Sequence, residues 1–190
     1  MQLVFGSTAS LANLQKREVP AVLLKSRMKN AERDVWEEPV GREKGGDPLP
    51  NGPFDKIAQA IMAGDLYPNT VAQTIVDRQP VQEGDTVGIL YRVLPGVNVY
   101  YGIRVTQCFA ESSGGITKRG FRFQTLEGHP EVAEGYFSVE MDYKSGQVKI
   151  LLGTWSQPGG AVARLLYPIA RMFQGETSKA SLRHLRSCAS

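Results

Sequence analysis

Apolar positions recur along this 190-residue chain with two different periods, and the order of the periods predicts the fold. The first thirty residues carry one strand-like run, Val19 to Leu24, followed by the basic stretch Lys25 to Lys29. From Glu32 to Pro53 no period survives. Pro39, Gly41, Gly45, Gly46, Pro48, Pro50, Gly52 and Pro53 interrupt it, and Val35, Trp36, Val40 and Leu49 are its sizeable apolar residues. That composition reads as a mobile surface loop with Trp36 as a candidate anchor. Residues 1–53 are thus expected to form an N-terminal strand plus loop, and 54–190 the main body, with one domain overall.

Pro53 suits the first turn of a helix, and Phe54, Ile57, Ala58, Ile61 and Met62 then recur at helical spacing until Gly64 stops it. Thr70 to Val76 is β-branched enough for a strand, and Glu83-Gly84-Asp85 turns the chain into a second, Thr86 to Val93. Further strands are predicted over Val97 to Phe109, Ile116 to Leu126, Tyr136 to Tyr143 and Gln147 to Trp155, the last two joined by a short loop at Lys144-Ser145-Gly146. After Pro158-Gly159-Gly160 the period becomes helical. Val162, Leu165, Leu166, Ile169, Met172 and Phe173 share one face of a long helix, in which Pro168 is expected to produce a bend.

A short helix, at least five antiparallel strands and one long amphipathic helix predict an α+β fold, a curved antiparallel sheet gripping a long C-terminal helix. A strongly bent sheet closed by one helix can retain a pocket lined by inward side chains. By alternation, Tyr91, Tyr101, Phe121, Phe123, Thr125, Phe137, Tyr143 and Trp155 are the candidate ligand-binding residues; they serve equally well to fill a solid core. Arg104 points outward if Tyr101, Ile103 and Val105 point inward, unless a bulge turns it toward a ligand carboxylate or Glu134.

Composition narrows the function classes. With 42% apolar and 22% charged residues and a net charge of +3, this is the profile of an ordinary globular protein, without the basic excess of a nucleic-acid binder. Two cysteines, Cys108 and Cys188, suggest neither a disulfide framework nor metal-ligand spacing, and no membrane span or leader pattern is visible, so a cytoplasmic setting is expected. No metal cluster, phosphate-binding glycine loop or nucleophile elbow can be drawn, and no cofactor is expected. His129, in Gly128-His129-Pro130-Glu131, is a candidate acid/base group with Glu134 nearby, or a turn residue bonded to backbone. Residues 161–190 hold five Lys or Arg against one acid, so the C-terminal helix is the basic element. Weak contact with an anionic membrane and a favourable helix-dipole interaction are both open to it.

Several segments also carry a resemblance. Thr125-Leu126-Glu127-Gly128-His129-Pro130, then Glu134 and Phe137, Ser156-Gln157-Pro158 and Tyr167 to Gln174 resemble the uncharacterised protein family 0548. Leu66-Tyr67-Pro68, Gly84-Asp85-Thr86-Val87 and Tyr101-Gly102-Ile103-Arg104-Val105 do so upstream, and the resemblance spans about Phe54 to Leu185. The chain departs from it at Gln124 and Ala133, each in place of a usual glycine, and at Gly135, in place of a usual acidic residue. That family is similar in organisation to START-like, or Bet v 1-like, helix-grip proteins, which implies a hydrophobic cavity between sheet and C-terminal helix and no particular activity.

Three expectations follow. The first is a carrier of a small apolar or amphipathic ligand, with Tyr91, Tyr101 or Arg104 orienting its polar end. The second is an enzyme on the same scaffold using His129 and Glu134. The third is a membrane-surface protein using the basic helix.

Overall fold

The computed structural model describes residues 2–5, 10–24, 28, 31–94, 97–159 and 167–190. Its elements run β1 (Gln2–Phe5), α1 (Leu11–Gln15), α2 (Ala21–Leu24), β2 (Glu32–Arg42), α3 (Pro53–Met62), β3 (Ala72–Ile75), β4 (Thr86–Leu94), β5 (Val97–Ser113), β6 (Ile116–Thr125), β7 (Glu131–Asp142), β8 (Gln147–Pro158) and α4 (Tyr167–Ser187). Among the described residues, eight strands form one antiparallel sheet in the order β2-β8-β7-β6-β5-β4-β3, and β1 pairs with β5. The predicted α+β architecture, a curved sheet gripping a C-terminal helix, is what the chain adopts.

The meander from β4 to β8 follows from alternation plus turn chemistry. Val87, Ile89 and Tyr91 on β4, Tyr101, Ile103 and Val105 on β5, Phe121 and Phe123 on β6, Phe137, Val139 and Met141 on β7, and Val148, Ile150 and Leu152 on β8 share the inner face. At the β7–β8 turn, Asp142 Oδ1 accepts from the Ser145 N–H at 2.7 Å and from the Ser145 hydroxyl at 2.8 Å, and Gly146 takes a φ of 68°.

Inside the grip, one half is solid. Phe54, Ile57, Ala58 and Ile61 of α3 are buried against Val139, Met141, Val148 and Ile150, joined by Leu182 and Leu185 from α4. Each large apolar side chain contributes about 2 kcal/mol by leaving water. Gly52 offers α3 no side-chain cap; the carboxylate of Glu43 takes that part, accepting the Phe54 N–H at 2.7 Å and the Leu49 N–H at 2.9 Å.

Two expectations for the N-terminal third are corrected. The segment expected as a loop contains β2, paired with β8 from Glu32 to Arg42. Trp36 and Val40 lean on the core while Arg33, Val35, Glu37 and Pro39 stay exposed. Charges, a proline and a register shift at Pro39/Gly41 are features that blunt an edge strand against further pairing, and they erase the apolar signal by which strands are read. The run Val19 to Leu24 forms the helical turn α2 after Pro20, with Leu23 buried, because so short an apolar run does not distinguish helix from strand. Apart from Met28, the basic stretch Lys25 to Lys29 lies outside the described residues.

In the C-terminal helix, Val162, Leu165 and Leu166 also lie outside the described residues, as do the side chains of Ile169, Met172 and Phe173. Pro168 falls in the first turn of α4, where its missing N–H costs no helical hydrogen bond. Among the described residues no helix is long and apolar enough to cross a membrane.

Candidate functional site

Whether a grip is hollow depends on side-chain size at the positions where helix and sheet face each other. Where α4 presents Leu182 and Leu185 the interior is filled. Closer to the start of the helix it presents Gln174, Thr177 and Ser178, and β7 opposes them with Ala133. Gln174 Nε2 donates to Thr154 Oγ1 at 3.4 Å, but these small side chains do not fill the space between helix and sheet, and a cavity of about 260 Å³ remains.

Its apolar wall comes from Ile89, Val99, Ile103, Phe123, Phe137 and Leu152. Phe121 backs it, and the rings of Phe121, Phe123 and Phe137 meet at tilted or edge-on angles with centres 5.7 to 6.5 Å apart. A side chain at 135 would collide with the Phe123 ring at 2.8 Å, so Gly135 is what lets that ring lie on β7.

The polar wall is confined to a few groups. Tyr67, Tyr91 and Tyr101 contribute phenols, Thr125 and Thr154 hydroxyls, and the β6–β7 connection His129, Pro130 and Glu131. Tyr91 and Thr177 exchange a 2.8 Å hydrogen bond between sheet and helix. The Thr125 hydroxyl accepts the Ala133 N–H at 2.9 Å.

The His129 ring stands edge-on to Tyr101, with centroids 4.4 Å apart. Its Nδ1 is 3.0 Å from the N–H of Glu131 and 2.8 Å from the carbonyl of the same residue. Burial is the main influence on its charge and pushes the imidazole down to about 4, against a smaller opposing effect of the Glu131 backbone, so the ring is neutral at pH 7. Burial also holds the Tyr67 and Tyr101 phenols protonated; the tyrosine neighbours add to this in both cases, and Glu131 does so for Tyr101.

The structure gathers six of the eleven sequence candidates around this space: Tyr91, Tyr101, Phe123, Thr125, Phe137 and His129. Phe121 faces inward but is sealed in the core behind the wall. Four lie elsewhere. Arg104 points outward and donates to the carbonyls of Gly84, Gln15 and Arg17 at 3.1 to 3.2 Å, strapping the end of α1 to the sheet. A register shift does occur in β5, but between Val105 and Gln107, after Arg104, so it does not turn the guanidinium in.

Tyr143 follows the last residue of β7 and is 49% exposed, since alternation ends with the strand. Trp155 is on the outer face with Tyr136 at 6.0 Å and the Arg33 guanidinium 5.2 Å above its ring; the run Ile150-Leu151-Leu152 hides which parity faces in. Glu134 sits on that outer face too, beside Gln124 and Trp155, so the expected His129–Glu134 pair is not assembled. Because β7 begins at Glu131, it is the Glu131 side chain that reaches the cavity.

Sequence reasoning missed Tyr67, Glu131, Thr154, Gln174, Thr177 and Ser178. A usable signal was the spacing of Gln174, Thr177 and Ser178, which share a helix face at i, i+3 and i+4. The basic residues of α4 offer less free charge than expected: Arg186 pairs with Glu38 at 2.7 Å and Lys179 with Glu176 at 3.0 Å.

Residues 26–184 match the family described as Domain of unknown function (DUF1990), and the chain belongs to it. No curated protein matches the chain. Among solved structures, the KanY protein is similar at 10% identity and a TM-score of 0.54, with 84% of this chain and 98% of that one covered. The protein TTHA0849 from Thermus thermophilus is similar at 13% identity and 0.53, covering 83% and 97%. Major latex-like protein 151 from Panax ginseng is similar at 10% identity and 0.51, covering 84% and 98%. At such identities the likenesses show the fold alone, a Bet v 1-like helix grip.

Proposed function

We propose that this DUF1990-family protein holds one small, largely apolar molecule with an uncharged, hydrogen-bonding end in the hollow between sheet and α4. The observation that carries the reading is the composition of the wall. Among the described residues, the 260 Å³ cavity is lined by apolar side chains, phenols, the hydroxyls of Thr125, Thr154, Thr177 and Ser178, the Gln174 amide, Glu131 and a neutral His129, and by no Lys or Arg.

Size sets the scale of the ligand. An engineered apolar cavity of about 150 Å³ takes benzene, with its roughly six heavy atoms, so 260 Å³ suits a molecule of about ten. Charge sets its class. Among the described residues of the wall, a carboxylate head would find no cation to meet it on leaving water, a desolvation cost of several kcal/mol. A hydroxyl or amide head instead finds partners among the tyrosines and His129. In either neutral tautomer the Glu131 backbone satisfies His129 Nδ1, which leaves Nε2 for the bound molecule.

The test compares two near-isosteric naphthalenes, 2-naphthol and 2-naphthoate, by titration calorimetry at pH 7. Naphthol is expected to bind one per chain, and naphthoate at least about tenfold more weakly, equivalent to 1.4 kcal/mol. Equal or tighter binding of naphthoate, or no binding of either, overturns the reading.

A further inference from the structure

A second constellation lies beyond the filled half of the grip. His184 and Cys188 are four residues apart near the end of α4, so their side chains share a helix face. Asp65 meets them from the turn after α3, where Gly64 takes a φ of 76° and the Asp65 N–H donates to the Ala60 carbonyl at 2.9 Å. One donor atom from each of the three residues lies within 4.8 Å of the other two, and His184 Nε2 is 2.7 Å from Asp65 Oδ1.

The two backbones that carry these groups are fixed to each other. The buried Ser181 hydroxyl, one turn before His184, donates to the carbonyl of Leu66, next to Asp65, at 2.6 Å. Leu182 and Leu185 root the same stretch of helix in the core. A donor set on clamped elements is assembled before any ion arrives, which lowers the ordering cost of binding.

The geometry points to a zinc-type metal site in which Asp65, His184 and Cys188 supply three ligands of a tetrahedral ion and water supplies the fourth. A carboxylate oxygen, an imidazole nitrogen and a thiolate sulfur match Zn²⁺, whereas Mg²⁺ and Ca²⁺ take all-oxygen shells. Zn–ligand distances of about 2.0 to 2.3 Å place tetrahedral donors roughly 3.3 to 3.7 Å apart, so the Asp65–His184 contact opens by less than about 1 Å on binding. Asp65 is 56% exposed and His184 21%, which gives the ion a route from solvent. Binding replaces the thiol proton by the metal and releases one H⁺; the ion's two positive charges are balanced by carboxylate and thiolate, and nothing is oxidised or reduced.

Co²⁺ provides the test, as a coloured stand-in for Zn²⁺ on the full chain. One equivalent is expected to give thiolate-to-cobalt charge transfer and the strong visible bands of a tetrahedral ion, both removed by Zn²⁺. Cys188→Ser should abolish the charge-transfer band and weaken Zn²⁺ binding at least about 100-fold, beyond the loss caused by removing an outer-shell partner. Asp65→Asn should weaken binding too, and Cys108→Ser should leave it intact. Matching thermal melts of the metal-free proteins establish that the variants fold. Absence of the bands in the folded parent protein, their survival in Cys188→Ser, or their loss in Cys108→Ser overturns the assignment.

Discussion

Lowering the pH from 7.5 to 5 is expected to cost this fold about 2 kcal/mol through His129 alone. The imidazole is held down to about 4 in the folded chain by burial, against about 6.5 when unfolded. A base with a depressed folded-state pKa binds fewer protons when folded, so stability is complete above about pH 6.5 and falls as the pH drops toward 4, below which both states are protonated. The gap of roughly 2.5 pH units corresponds to about 3 kcal/mol at its limit, of which about 2 is reached by pH 5.

Urea unfolding of the parent and of His129→Asn at both pH values isolates this contribution, because carboxylates common to both proteins cancel in the difference. Asparagine keeps a polar atom near Nδ1, in reach of the Glu131 N–H that bonds there at 3.0 Å, and does not titrate. Whatever uniform cost it carries, its stability should fall by about 2 kcal/mol less than the parent's between pH 7.5 and 5. Equal losses in the two proteins would refute the claim that His129 is buried and neutral.

Other outcomes follow from particular contacts. Ser178→Leu places in the cavity the kind of side chain that seals positions 182 and 185, so naphthol binding should vanish in calorimetry while the melting temperature holds or rises; retained binding would contradict the placement. Glu43→Ala removes the acceptor of the Phe54 and Leu49 N–H groups, and chemical denaturation should register a loss of about 2 kcal/mol. Arg104→Ala releases the strap on α1, so amide exchange there should accelerate with naphthol affinity unchanged; a fall in affinity would return Arg104 to the site.

The central sheet is legible because most of β4 to β7 alternates and the strands turn at residues suited to turning, such as Asp142 to Gly146. Where alternation stops carrying information, inference from sequence failed. Trp155 shares its strand with the run Ile150-Leu151-Leu152, which hides the parity, and Tyr143 follows the end of its strand. β2 was unreadable because its Glu, Asp and Arg residues serve a strand edge, where charge prevents further pairing.

The cavity itself was half legible. Its aromatic wall on β5, β6 and β7 follows from parity, but its helix wall is Gln174, Thr177 and Ser178, and a search for an apolar stripe passes over polar residues. Glu131 escapes a reading by alternation because the period-two pattern shows only from Tyr136, five residues after the first residue of β7. The Asp65–His184 contact joins residues 119 apart, a proximity that only tertiary structure creates.

The most direct test of the central claim is a crystal structure of the protein grown with 2-naphthol. The expected density is a flat bicyclic molecule between Phe137 and Ser178, its oxygen within hydrogen-bond distance of His129 or a cavity tyrosine. An empty hollow, or naphthol seated instead beside Trp155 on the outer face, would contradict it.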